Sequence, residues 1–206
     1  MAGMALIWDL DGTLLDSYGV IAPSLQETLA ELGIHMERED VLRRVTEESV
    51  GALIRQAAAE TGLPVQRIKE RYSAISGGRI LDIRLIRHAA EALEEAAALG
   101  ASQFVYTHRG NTTAPVLQNL GLRRFFREVV TSLNGFPRKP APDALLYLLE
   151  KHGLDRNRVF YVGDRTLDVD CARNAGVRSV LYSPSGAGTA DYVIRDLLDI
   201  REIAAE

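Results

Sequence analysis

Ile7-Trp8-Asp9-Leu10-Asp11-Gly12-Thr13-Leu14-Leu15-Asp16-Ser17 is the stretch from which the rest of the chain is read. It is entered through Ala5-Leu6-Ile7-Trp8, an apolar run too short for a helix and suited to a buried strand. That strand delivers two carboxylates to its end. Asp9 and Asp11 stand two apart, so the pleat projects both to the same side, and Gly12 lets the backbone turn away without a Cβ penalty. Neighbouring acids repel and are costly to desolvate, a pattern that makes sense where a cation lies between them or one carries a proton. Gly12-Thr13 is expected to leave backbone N–H groups free for an oxyanion or phosphate. Taken alone, the stretch is equally an acidic turn leading to a helix capped by Asp16 or Ser17, so partners further along must decide.

At 206 residues the chain has room for one sizeable domain and a smaller insertion. Its hydrophobic content of 47% and charged content of 25% are ordinary for a soluble globular protein. A net charge of −4, with both signs interspersed, carries no nucleic-acid footprint, so any bound anion must be held locally. No apolar run approaches the roughly 20 residues of a membrane span. Met1-Ala2-Gly3 leads toward a strand in place of a secretion signal, and the expected compartment is cytoplasmic. Cys171, the single cysteine, excludes an internal disulfide and a cysteine metal cluster; it reads as a small buried residue on a helix face.

After the first strand nothing is strand-like until about residue 77. Val20, Ile21, Leu25, Leu29 and Leu32 follow helical spacing, with Pro23 in the first turn and Gly33 as the stop. Segments at about 38–44, 48–61 and 65–75 repeat the pattern, Gly62 closing one helix and Pro64 opening another. These four helices predict a small all-helical cap, 17–78, inserted after the first strand, with Ser76-Gly77-Gly78 as its return hinge. The core is then 1–16 and 79–206. Here helices alternate with short apolar strands: a helix at about 85–99, then Gln103–Tyr106; one at about 113–120, then Glu128–Thr131; Pro142–His152, then Arg158–Val162; about 166–174, then Arg178–Leu181. A short edge strand, Asp191–Ile194, and a final helix follow. The pattern predicts an α/β fold, a Rossmann-like parallel sheet sandwiched by helices, with ligands at the carboxyl ends of the strands.

Three further strand ends carry reactive side chains. Tyr106 is followed by Thr107-His108-Arg109-Gly110-Asn111, a hydroxyl and several backbone donors that serve either an anion or a helix cap. His108 either touches substrate or is structural. Beyond Thr131, Lys139 stands where Pro140 holds the backbone extended; with Lys69 and Lys151 it makes up all the lysines of the chain, so it is no part of a lysine-rich surface. Val162 leads into Gly163-Asp164-Arg165-Thr166-Leu167-Asp168, which puts Asp164 at the strand end and Asp168 one helical turn later on the same face. Each signal alone has a bland reading; together they converge on one crevice.

With these residues in place the chain resembles the haloacid-dehalogenase superfamily of hydrolases, and within it the phosphoglycolate-phosphatase-like members. The likeness spans nearly the whole sequence and rests on Asp9–Ser17, Thr107, Lys139-Pro140 and Gly163–Asp168. It implies a magnesium-dependent phosphatase acting on a small phosphorylated metabolite, with no nucleic-acid or membrane partner. Asp9 would attack phosphorus and form an aspartyl-phosphate, while Asp11 acts as general acid and then general base. An anionic nucleophile meeting a phosphate is repelled by about 4 kcal/mol per charge pair at roughly 4 Å, so neutralising charge is required. Mg2+ would take Asp9, the Asp11 backbone carbonyl and Asp164, with Asp168 direct or through water. Lys139 would bridge Asp9 and the phosphate. Thr107 and the N–H groups of Asp11, Gly12 and His108 would donate to phosphate oxygens.

The sequence departs from the family at Leu81–Ile86, where relatives often carry Pro-Gly on the return from the cap. Dehalogenation does not use a second acid like Asp11. Phosphonate cleavage needs a cap lysine, and Lys69, the only one there, lies among Arg67, Glu70 and Arg71 on what reads as a solvated face. The remaining rivals are a sugar phosphomutase of the same superfamily and a phospholigand-binding protein without turnover. Thr13 argues against the first and the complete catalytic set against the second.

Overall fold

The computed structural model describes residues 3–204; Met1 and Ala2, which entered the leader reading, lie outside them. The chain divides into two compact units, Met1–Asp16 with Leu85–Glu206, and Ser17–Arg84.

The first unit is an α/β layer structure. Among the described residues its strands are β1 (Ala5–Trp8), β4 (Ser102–Tyr106), β5 (Glu128–Val130), β6 (Val159–Gly163), β7 (Arg178–Tyr182) and β8 (Tyr192–Ile194), hydrogen-bonded in the order β5-β4-β1-β6-β7-β8 and parallel throughout. The short segments β2 (Leu15–Asp16) and β3 (Arg84–Leu85) pair where the chain leaves and rejoins this unit. β1 is central and wholly buried, as an uninterrupted apolar run requires of a strand covered on both faces. On one face Ile7, Phe104 and Tyr161 pack with Leu145 and Leu148 of α7 (Asp143–His152) and with Cys171 and Ala172 of α8 (Thr166–Ala175). On the other, Trp8 Nε1 donates to Gln103 Oε1 at 3.0 Å, and Gln103 Nε2 donates to the Leu93 carbonyl of α5 (Ala89–Ala98) at 2.9 Å. The remaining helices are α6 (Thr113–Asn119) and α9 (Ile200–Ala204).

The register places the strand ends side by side. Trp8 is paired with Val105 of β4 and with Val162 of β6, and the order of strands reverses across β1, so Asp9 emerges between Thr107 and Asp164 at the switch point.

The second unit holds α1 (Tyr18–Ala30), α2 (Arg38–Glu47), α3 (Val50–Thr61) and α4 (Val65–Gly78) around its own apolar cluster, including Leu25, Leu29, Val41, Leu53, Ile54 and Ile68. Ser49 caps α3 by accepting from Ala52 N–H at 3.1 Å, and Gly62 ends it with φ 71°. The return passage differs from expectation. α4 runs through Ser76-Gly77-Gly78, whose glycines have ordinary helical handedness, and the unit continues to Arg84. α5 starts at Ala89, because Leu85 lies in β3 and His88 takes φ 62°, a left-handed conformation incompatible with an earlier helix start. No described helix is long and apolar enough to cross a membrane.

Candidate active site

Lys139 is the centre of the site. Its ammonium group lies 2.7 Å from Asp9 Oδ1 and 2.7 Å from Asp168 Oδ1, with its side chain only 4% exposed. The rings of Tyr106 and Tyr161 lie 5.0 and 5.3 Å from the Nζ and present π-faces to it. Burial alone would lower the Lys139 pKa, but Asp168 and Asp9 outweigh it and hold the group charged. Asp9 is the other half of the balance: burial, together with Asp168 and Asp164, raises it to about 8 against the opposing pull of Lys139.

Asp164 and Asp168 are carried by the turn from β6 into α8. Asp168 Oδ1 accepts the Tyr161 hydroxyl at 3.0 Å as well as Lys139, and Oδ2 accepts the Arg165 N–H at 3.2 Å, fixing the carboxylate in the first turn of the helix. A Cβ on Gly163 would come within 2.3 Å of the Asp168 Cβ and Cγ, so only glycine fits there. Asp164 is raised to about 7 by burial and by Asp168, and Thr13, fully buried, donates its hydroxyl to Asp164 Oδ1 at 3.3 Å. From sequence Thr13 counts for its backbone N–H and as an argument against a mutase, not for its hydroxyl; the contact across 151 positions of chain has no local signal.

Asp9, Asp164 and Asp168 each bring a carboxylate oxygen within 4.8 Å of the others. Three hard oxygen donors this close together suit a small divalent cation, which at Asp9 and Asp164 would relieve both the cost of burial and the repulsion of neighbouring carboxylates.

Thr107 is buried, and its Oγ1 accepts the Arg109 N–H at 3.1 Å, a bond that does not consume its own O–H. His108 turns its ring toward the Lys139 loop: Nε2 accepts the Lys139 backbone N–H at 2.9 Å. Burial, then the charges of Lys139, Arg138 and Arg165, pushes the imidazole down to about 2, so it remains neutral as that bond requires.

One expectation needs correction. The Gly12 and Thr13 N–H groups are not free: Gly12 donates to the Leu15 carbonyl at 2.9 Å and Thr13 to the Leu10 carbonyl at 3.1 Å. The chain curls back on Leu10, so Gly12 with φ 88° serves the turn and supplies no donor to a phosphate. Nor does the Asp11 carboxylate join the three-acid group among the described residues; the cation it meets is Arg109, whose Nη2 and Nε lie 2.5 and 3.2 Å from Asp11 Oδ1. Arg109 was read from sequence only as part of a donor-rich stretch.

A doubly wound sheet presenting a carboxylate, a buried ammonium and a compact acid group at its switch point defines a Rossmann-like α/β protein with a polar site at its strand ends. The chain belongs to the haloacid dehalogenase-like hydrolases, matching that family's model over residues 6–182. It is 33% identical to a phosphoglycolate phosphatase of Agrobacterium fabrum, over 84% of this chain and 78% of that one. It is 28% identical to a phosphoglycolate phosphatase of Vibrio parahaemolyticus, over 97% and 95% respectively. Among solved structures, a hydrolase from Pseudomonas syringae superposes with a TM-score of 0.78 at 25% identity, covering 97% of this chain and 96% of that chain. For the fold alone, a superfamily hydrolase of subfamily IA from Geobacter sulfurreducens gives a TM-score of 0.78 at 24% identity, covering 98% and 96%.

Proposed function

We propose that this protein is a magnesium-dependent phosphatase that hydrolyses small phosphate monoesters, phosphoglycolate among them, through a phosphorylated Asp9. The observation that carries the proposal is the Lys139 ammonium seated 2.7 Å from both Asp9 and Asp168, beside a three-carboxylate group. A buried cation in that position offsets charge on a nucleophile that must approach an anion. The names of the relatives support the substrate class.

In this reading an Asp9 oxygen bonds to phosphorus as the ester P–O bond breaks, and Asp11 gives a proton to the departing oxygen. Asp11 then takes a proton from the water that cleaves the aspartyl-phosphate. Lys139 orients Asp9, each favourable charge pair at about 4 Å contributing about 4 kcal/mol at an effective dielectric of roughly 20. The Thr107 hydroxyl and the N–H groups of Asp11 and His108 donate to phosphate oxygens. Mg2+ would be held by Asp9, Asp164 and the Asp11 carbonyl, with Asp168 acting through water because its oxygens already accept from Lys139, Tyr161 and Arg165. When bound, the ion supplies positive charge against the transferring phosphoryl group.

The test is hydrolysis of p-nitrophenyl phosphate and of phosphoglycolate with and without Mg2+. Wild-type turnover should require the metal, and Asp9→Asn should lose on the order of 10³-fold or more in kcat. Turnover that survives Asp9→Asn, or tight phosphoglycolate binding with no turnover, would overturn the proposal.

A further inference from the structure

We infer that Arg109 is a positioning residue for Asp11, holding its carboxyl group in the orientation from which it delivers the proton to the leaving group. The inference rests on the phosphatase reading above. Arg109 places two N–H groups on one oxygen, with Nη2 at 2.5 Å and Nε at 3.2 Å from Asp11 Oδ1. Its third nitrogen, Nη1, donates to Thr112 Oγ1 at 3.1 Å, so the guanidinium plane is pinned from both sides. The backbone is pinned as well: the Arg109 N–H donates to Thr107 Oγ1 at 3.1 Å, and its carbonyl accepts the Ser132 N–H at 3.1 Å. The side chain is only 10% exposed, against 22% for Asp11. This is not a loosely held surface ion pair, for which little geometric consequence would follow.

The chemistry follows from the orientation. Two donors directed at Oδ1 fix that atom and, through it, the direction in which the Asp11 carboxyl group faces. As the Asp9–phosphorus bond forms and the bond from phosphorus to the leaving oxygen breaks, the Asp11 proton passes to that oxygen and Asp11 is left a carboxylate, which the guanidinium then stabilises. Because Arg109 also donates to the Thr107 hydroxyl oxygen, one residue ties the general acid to a phosphate-binding group.

Proton delivery matters only when the leaving group needs it. An alkoxide such as that of glycolate is a poor leaving group without protonation, whereas p-nitrophenolate departs readily as an anion. The experiment is therefore kcat/KM for phosphoglycolate and p-nitrophenyl phosphate in wild type, Arg109→Ala, Arg109→Lys and Asp11→Asn, each with Mg2+. A general acid contributes typically 10²–10⁴-fold. Arg109→Ala should lower kcat/KM for phosphoglycolate at least about ten-fold more than for p-nitrophenyl phosphate, and Asp11→Asn should show the same selectivity. Arg109→Lys, which keeps the charge without the fork, should lie between and serves alone should the alanine variant not fold. Equal losses on both substrates, as a structural or phosphate-binding role would give, or no loss on either, would overturn the inference while leaving the phosphatase reading intact. A wild type that hydrolyses neither substrate would overturn both.

Discussion

His108 illustrates how one side chain holds another in a working position. A backbone N–H can only donate, so the 2.9 Å bond from Lys139 N–H to Nε2 requires a basic nitrogen that has not taken a proton. An imidazole in the unfolded chain titrates near pH 6.5, whereas in the fold burial and the neighbouring cations push it to about 2. The folded state therefore binds fewer protons than the unfolded state between those values. Stability contributed by neutral His108 is complete above about pH 6.5 and is lost as pH falls toward 2. His108→Asn keeps an acceptor but not the basic nitrogen, so the stability of wild type relative to the variant should fall by up to about 1.4 kcal/mol per pH unit below 6.5. Urea unfolding of both proteins at pH 7.5 and 5, in chelator, measures this; parallel pH dependences would sink the assignment. Sequence alone left His108 open between substrate contact and structure because Lys139, the group it touches, is 31 positions away. The same distance hid the burial of Lys139, since a single loop lysine is ordinarily solvated.

The β6–α8 turn concentrates the site in one element. Asp164 leaves the strand, Asp168 sits in the first helical turn, and Gly163 lets the two pass close together. Gly163→Ala would push a methyl into Asp168 at 2.3 Å, and Asp168 cannot yield without loosening its bonds to Lys139 and Tyr161. We expect that variant to lose about 1–3 kcal/mol of stability, as overpacking typically does, and to lose hydrolase activity with it. A variant with wild-type turnover and an unchanged melting temperature would refute this account of the turn. At this scale the sequence was most legible. Apolar runs, glycine stops and the shift from helical pattern to helix–strand alternation located the strands and placed the acids at their ends. Three things escaped it. The left-handed His88 that delays α5 carries no residue-type signal, and the Gly77-Gly78 pair in the last turn of α4 reads as a hinge although its backbone stays helical. The curl that uses the Gly12 N–H escaped for a related reason, since the donor's partner is set by how Leu10 to Leu15 closes and not by the glycine itself.

At the scale of the whole chain, the carboxylates of the acid group come from segments far apart in sequence yet all within the first unit, whereas the second unit has its own apolar cluster. A divalent ion that needs Asp9, Asp164 and Asp168 together binds only when the first unit is folded, and so stabilises that unit by mass action. At a hundred times its dissociation constant the gain is about 2.7 kcal/mol, which corresponds to roughly 5–10 °C in melting temperature for a unit of this size. Protons compete with the ion. Burial and mutual repulsion hold Asp9 at about 8 and Asp164 at about 7, so near neutrality the metal-free site carries protons that binding must expel. The thermal shift produced by a fixed concentration of Mg2+ should therefore be larger at pH 8 than at pH 6, appear in the transition of the first unit, and largely vanish in Asp164→Asn. Scanning calorimetry of the chelator-treated and Mg2+-loaded protein at both pH values reads all three. A shift of equal size at the two pH values would mean that the ion does not displace those protons, and a shift that persists in Asp164→Asn would mean that it binds somewhere other than this acid group.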